Sequence, residues 1–513
     1  MSSEAKKPRM WPFWVILVIN VALWLFAFFS DGDMRQDNYL KAMAFLLFSL
    51  PATLVWFIFF SRLSKQTRKR GVGLFLLGFA VFFFFFEFSD LSGDFVPILT
   101  YRWAKTYADM DSEAKTSTTS VVTAAGEADF PGFMGPDGDN QIKGTLLATD
   151  WKAHAPQEKW RIPIGAGWSG FAVVGKLAVT QEQRGQKQMI TCYDLERGTA
   201  VWAADGGEPF VSVIGGDGPR STPTVADGRV YTIGAQGQLH CLELATGRQV
   251  WFVDTLKDNK GRLPEWGYSS SPLVYDELVV VSPGGPDSRS LVAYNRVDGS
   301  FVWGGGNDSP GYSTPQLRTI AGVPQIVVVN GMSVAAHDPQ TGAILWEVPW
   351  GDGHPNAANP LLLAGNRLLV SSGYGIGSAL YQISAETEKL GVTKLYETKR
   401  LKAKFANYVA YEGYVYGLDD GILTCIDPAT GERKWKRGRY GHGQMLLVED
   451  KLLIQSEKGA LALVDPSPEE FRDLSSIDVL GGKAWNSMAI SGNLVLMRNH
   501  KEAVCLELAR RGN

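Results

Sequence analysis

The sequence predicts an all-β, eight-bladed β-propeller preceded by three transmembrane α-helices, on three observations. An alternating apolar run reaches an Asp, turns through a Gly and returns to a Trp in Cys425…Gly431…Trp435. The same grammar recurs as Cys192…Gly198…Trp202, Cys241…Gly247…Trp251, Val292…Gly299…Trp303 and Ala335…Gly342…Trp346. The second observation is the spacing of Trp160, Trp202, Trp251, Trp303, Trp346 and Trp435, with gaps of 42, 49, 52, 43 and 89 residues. A period near 40–50 residues built only of short strands is that of a propeller with four strands per blade. The third is a set of apolar runs confined to the first hundred residues.

Those runs are 11–30, 39–61 and 72–88, each close to the roughly 20 residues that a spanning helix needs. The first is too long for a secretory signal, lacks a small-residue cleavage site, and is followed by two more runs. Lys6, Lys7 and Arg9 precede the first run, and Arg62, Lys65, Arg68, Lys69 and Arg70 follow the second. The positive-inside rule puts both basic stretches in the cytoplasm and everything after Asp90 outside. The expected organisation is a membrane anchor over 1–95, a flexible linker over 96–129 rich in Ser, Thr and Ala, and a propeller over 130–513.

Within the propeller, the double gap after Trp346 hides a degenerate unit at Gln382–Tyr396, with Tyr396 in the Trp position. A second degenerate unit, Ala460–Asp478, follows Trp435. The C-terminal run Glu502–Ala509 lacks a strand after it, and Glu158–Ile164 lacks one before it. Joining the two closes the ring and removes its sheet edges. A net charge of −3 and the absence of a basic stripe give no footprint for nucleic acid. Cys192, Cys241, Cys425 and Cys505 share one place in the third strand of their blades, too far apart for disulfides, and read as buried thiols.

The Asp-Pro-Ala-Thr-Gly-x-x-x-Trp motif at 427–435 and the [Ser/Thr]-Pro pairs heading first strands resemble the PQQ-like (pyrroloquinoline-quinone) propeller superfamily. Phe130-Pro131-Gly132-Phe133-Met134-Gly135-Pro136-Asp137-Gly138 is similar to the lead-in of bacterial members. The resemblance covers about 130–513. It implies either of two functions, because the superfamily holds quinoprotein dehydrogenases and also non-catalytic members such as the propeller lipoprotein of the barrel-assembly machinery. The dehydrogenase reading implies PQQ with Ca2+, oxidation of an alcohol or sugar, and electron delivery to the quinone pool. The vicinal Cys pair of many such enzymes is missing here, and so is the lipidated N-terminal Cys of the lipoprotein.

In each blade, B–C turns and D–A loops share one face, and A–B and C–D turns share the other. The longest insertions are the D–A loops 203–220, 254–268 and 349–356, so function is expected on their face. Residues heading the A strands would ring the channel there: Trp168, Ser169, Arg220, Tyr268, Tyr312, Asn356, Asn407, His442 and Trp485. Such a set could clamp a planar anionic ligand by stacking and charge-assisted hydrogen bonds, or could simply fill and solvate a channel mouth. It holds no carboxylate for a Ca2+ site or a base. Asp419-Asp420-Gly421 reads as a B–C hairpin turn; Asp217 and Asp352-Gly353-His354 in long loops signal metal only weakly, and His240 and His337 read as packing residues. The expectation is therefore a bacterial inner-membrane protein with its propeller on the periplasmic or external side. It would be a non-catalytic binding or scaffolding domain with no cofactor and with an envelope protein partner or small ligand; the alternative is the PQQ-dependent dehydrogenase.

Overall fold

A computed structural model describes residues 9–29, 35–103, 129–385 and 389–511. They divide into two compact units at Lys105/Thr106; the part of the expected linker at 104–128 lies outside the described residues.

The N-terminal unit holds helices α1 (Trp11–Phe29), α2 (Arg35–Phe59) and α3 (Lys65–Phe85). Its first two helices are long and apolar enough to cross a membrane; the expected third span is not. Helix α3 opens with Lys65, Arg68, Lys69 and Arg70 and is apolar only from Gly71 onward. That leaves about 22 Å at 1.5 Å per residue, short of the roughly 30 Å hydrocarbon core. The chain then leaves the helix at Phe86 and pairs Phe86–Leu91 with Pro97–Tyr101 as a hairpin, so a strand stands where the flexible linker was expected to begin.

The second unit contains eight antiparallel four-stranded sheets, one of which gains a fifth strand. In chain order the blades span 172–207, 224–254, 273–305, 316–349, 361–398, 409–439 and 444–478. Blade 8 joins 489–507 to Gln157–Pro163. Glu502–Glu507 pairs antiparallel with that N-terminal strand, Cys505 opposite Trp160, which is the expected ring closure. Tyr396 takes the Trp position of blade 5, opposite Leu380. In blade 7 the position falls to Ser475, opposite Leu463. The buried Trp151 of the lead-in stands beside it, its backbone N–H donating to Ser475 Oγ at 3.1 Å.

The repeated turn joins one blade to the next. Gly198, Gly247, Gly299, Gly342 and Gly431 all have φ between 69° and 76°, a region that favours Gly. Each lies against the aromatic ring of the preceding blade: Trp160, Trp202, Trp251, Trp303 and Tyr396 respectively. A Cβ at Gly198 would come within 2.7 Å of the Trp160 ring. The indole N–H groups of Trp160, Trp202 and Trp251 donate to Leu195, Leu244 and Arg296 carbonyls of those turns at 2.8, 2.8 and 3.0 Å. In blade 4 the Tyr275 hydroxyl takes the equivalent Pro339 carbonyl, and the Trp303 N–H is left without a partner.

The lead-in runs across the A strands of several blades. Phe130 bridges Val173 of blade 1, Val225 N donates to Pro131 O in blade 2, and Gln316 and Arg318 of blade 4 donate to Gly138 O. Gln141–Ile142 then adds a parallel strand to blade 7. At the ring closure, Arg498 of blade 8 reaches into blade 1 and donates to Thr180 Oγ1, Gln181 O and Gly165 O, each at 2.8 Å. Glu182 beside it accepts from Tyr193 and Arg184 at 2.6 and 2.9 Å. Both Glu182 and Arg498 are fully buried. Burial works against the Glu182 charge, but Arg184 and Arg498 outweigh it and hold its carboxyl below the usual range.

Glu182→Gln should therefore cost about 3–5 kcal/mol, because it strips the counter-charge from buried guanidinium groups. The gap between wild type and variant should be full above the ordinary glutamate pKa. It should shrink as pH falls through the depressed folded value. Urea unfolding at a series of pH values checks both.

Candidate functional site at the long-loop mouth

The [Ser/Thr]-Pro heads of the A strands have a local task. Gly170 N donates to Thr222 Oγ1, Thr222 N to Ser271 Oγ, Ser271 N to Thr314 Oγ1, Thr314 N to Asn359 Oδ1 and Asn359 N to Asn407 Oδ1, at 2.7–3.2 Å. Gln444 of blade 7 donates to Phe405 O and Trp485 O. Asn486 of blade 8 returns to blade 1 through Gly167 O and Ser169 O. The result is an inner ring of hydrogen bonds from blade to blade, satisfying buried backbone groups that an open channel would leave unpaired.

Several expected mouth residues belong to that interior rather than to a binding surface. Ser169 is fully buried, and its hydroxyl bonds within its own blade. Tyr268 packs in the core between blades 2 and 3, with its hydroxyl on Pro283 O at 2.7 Å. Asn356 is saturated by Asn330 O, Gly331 O and the Ser372 hydroxyl. Asn407 closes one joint of the inner ring. Arg220 lies 4.4 Å over the Phe210 ring and donates to Gly215, Gly216 and Gly218 carbonyls, so it braces its own loop. Burial lowers its pKa to about 9, against the pull of Asp217 and Tyr312.

Three of the remaining residues, Trp168, His442 and Trp485, come together around Phe405. The Trp168 and Trp485 rings lie 5.0 Å apart, and Phe405 stands 4.8 Å from Trp485 and 5.6 Å from His442. Lys483 Nζ sits 3.9 Å from the Trp485 ring centroid and 4.7 Å from that of Trp168. Lys404 Nζ lies 4.4 Å over Tyr374 and 5.6 Å from Phe405. Tyr312 packs 6.2 Å from Trp266 on the next arc of the rim. Tyr374 has φ of 56°, an uncommon backbone state for an aromatic residue and a cost of order 1–3 kcal/mol that the surroundings must offset. Cations over aromatic faces gain strength when desolvated, and Lys404 and Lys483 are both buried.

Reading only the A-strand heads missed Lys404, Phe405, Lys483 and Glu457. Glu457 is a carboxylate at the mouth, accepting from Trp485 Nε1 at 2.9 Å and from His442 N at 3.2 Å. It precedes the Lys458-Gly459 hairpin turn, on the same face as the long loops, so the meander rule applied to B–C turns would have found it. Asp420-Gly421 is a B–C turn as expected, with φ of 46° and 78°. Asp419 does more: fully buried, it faces Lys402, Arg433 and Lys436 at 3.5, 3.0 and 2.9 Å. Burial opposes the Lys402 charge, but Asp419 and Asp420 outweigh it and raise its pKa; burial, then Asp419, raises that of Asp420.

The Ca2+ of a quinoprotein site would take six to eight oxygens, several of them carboxylate. Among the described residues no group of three or more His, Cys, Asp or Glu is placed to share a metal ion. Asp352 is paired instead with His354 at 2.7 Å, on an exposed loop. His240 and His337 are buried packing residues, with Nδ1 on Gln249 and on Gly342 O.

Residues 186–437 and 331–512 match the family model of the outer membrane protein assembly factor BamB. This chain belongs to that family. A BamB of Xanthomonas campestris is 36% identical over 87 residues, covering 17% of this chain and 21% of that protein. One from Shewanella oneidensis is 23% identical over 292 residues, 55% of this chain and 67% of the relative. The quinoprotein ethanol dehydrogenase of Pseudomonas putida is 26% identical over 157 residues, 28% of this chain and 25% of the enzyme. The match thus spans about a fifth to a quarter of the Xanthomonas and Pseudomonas proteins. The quinohemoprotein alcohol dehydrogenase of Comamonas testosteroni superposes with a TM-score of 0.54 at 12% identity, over 74% of this chain and 80% of that one. At that identity the likeness concerns the propeller fold, which the BamB family shares with quinoproteins.

The four cysteines are buried and free. Burial pushes Cys241 and Cys425 up to about 11, Cys505 to about 12 and Cys192 higher still. At pH 8 the folded chain should leave a thiol reagent unreacted over minutes, and the denatured chain should titrate four thiols.

Proposed function

We propose that this chain is a non-catalytic binding or scaffolding propeller of the bacterial envelope. It is anchored in the inner membrane with its N-terminus in the cytoplasm and its propeller on the periplasmic or external side. Its long-loop mouth receives an envelope protein partner or a small anionic ligand through Trp168, Trp485, Tyr312 and His442, with Arg220 holding the rim. One observation carries the reading: the mouth carboxylates already serve their neighbours. Glu457 takes the Trp485 and His442 N–H groups, and Asp419 sits within three cations. A general base or a Ca2+ ligand would need a carboxylate with its lone pairs turned to the channel. Membership of a family described as an outer membrane assembly factor supports the same reading.

The test is titration of the purified chain with PQQ and Ca2+, followed by dye reduction with alcohols and sugars. The expected result is neither quinone absorbance bound to protein nor turnover; binding with turnover would establish the dehydrogenase instead. Capture from membranes by the wild type, but not by a Trp168→Ala/Trp485→Ala variant, should recover one envelope partner in fixed ratio.

Two crossings return a chain to the side of its N-terminus. The proposed orientation therefore requires the α3 segment to cross as well, with its short apolar length met by local thinning of the bilayer and snorkelling of Arg68 and Lys69. Alkaline phosphatase fused after Ser120 should be active and a green fluorescent protein at the same site dark. The reverse pattern would place the propeller in the cytoplasm.

A further inference from the structure

Charge is unevenly spread around the ring. Residues 389–439, from the outer strand of blade 5 to that of blade 6, hold eleven Lys and Arg against six Asp and Glu, in a chain of net charge −3. The acids do not cancel this excess on the outside. Asp419 and Asp420 are buried and matched inside by Lys402, Arg433 and Lys436; Glu397 is paired with Lys394 at 2.8 Å; Glu412, Asp427 and Glu432 lie at A–B and C–D turns, on the face away from the long loops. Towards the long-loop face the wall carries exposed Lys399, Arg400 and Arg437, with Lys434 further along the same strand. The outer strand of blade 5 meets the C–D turn of blade 6, where the Tyr396 ring lies on Gly431 and its hydroxyl donates to Pro428 O at 3.1 Å.

We propose that this wall of blades 5 and 6 docks on the phosphate headgroups of an anionic bilayer. Charge complementarity selects an anionic partner, and the form of the wall selects lipid over protein. Protein hot spots are aromatic or Arg anchors set in desolvated pockets. Here the cations stand on long arms along a pleated strand surface, as in polybasic segments that gather at anionic headgroups. The proposal rests on the membrane attachment proposed above, which keeps a bilayer at high effective concentration, so that a few weak charge contacts suffice.

The four native thiols are buried, so a single introduced cysteine can be labelled. Leu395→Cys, exposed on the outer strand of blade 5, would carry an environment-sensitive dye in the full chain reconstituted into nanodiscs. The discs would hold headgroup-quencher lipid in phosphatidylcholine, with or without phosphatidylglycerol. Quenching is expected only with phosphatidylglycerol and should fade at high salt. Arg400→Glu, Lys434→Glu and Arg437→Glu together should weaken it by roughly fivefold or more per charge. A dye on Val213→Cys, in a loop of the opposite arc, should stay bright.

Equal quenching in phosphatidylcholine alone, or no change on charge reversal, would overturn the proposal. So would a dye at Leu395→Cys that ignores lipid and responds only to an acidic protein. Co-elution with the discs scores the attachment separately. A chain that stays outside the discs but sediments with phosphatidylglycerol vesicles in a salt-sensitive way keeps the wall and discards the helices. One that does neither overturns both.

Discussion

The propeller depends on an aromatic ring at the outer end of one blade resting on a glycine in the next. That contact sets several features at once. The turn residue must be Gly, both because φ is positive and because a Cβ would enter the indole. The residue paired opposite each ring is small in most blades: Cys192, Cys241, Ala293, Ala336, Cys425 and Cys505. Immediately after that pair the register shifts in all eight blades. A bulge increases twist and re-aims a side chain, and here it recurs at the position from which the ring reaches across to its neighbour. The cysteines are thus placed by packing.

A second set of joints lies near the axis, where hydroxyl and amide side chains of one A strand accept from backbone N–H groups of the blade before. Outer joints bury apolar area and inner ones satisfy polar groups, so each blade is fixed to its neighbour at two radii. This division explains why the polar residues expected at the channel mouth separate into two kinds. Ser169, Asn356 and Asn407 are consumed by the scaffold; Trp168, His442 and Trp485 stand above it with Lys404, Phe405 and Lys483. A rigid ring leaves the loops on its open end at liberty to differ, which is how one fold carries unrelated functions.

What could be read in advance follows the same division. The outer joints announce themselves through Asp, Gly and Trp at constant spacing, so eight blades were legible, including Tyr396 standing for Trp and the closure between the chain's two ends. The mouth was read only where it coincided with the A-strand heads. Glu457 was within reach of the meander rule through its B–C turn, whereas Lys483 follows no period, because loops are placed by the scaffold rather than by their own pattern. The third apolar run forms a shorter apolar helix than expected for a related reason: hydropathy over 72–88 is continuous, but the backbone passes from helix to hairpin at Phe86 and the apolar helix ends short. Blade 7 shows a different limit. Its ring position is Ser475, and Trp151, some three hundred residues earlier, stands beside it; no local window joins the two.

At the mouth, burial decides what the charged groups can do. A lysine lying over aromatic rings in a desolvated wall gains from the ring quadrupoles and from nearby carboxylates, and loses hydration. Glu457 is tied to Trp485 and His442, while Asp419 is fixed by Lys402, Arg433 and Lys436 behind the surface. The acids of this wall are therefore committed to groups of the scaffold, and the buried Lys404 and Lys483 lie over the aromatic faces beside them.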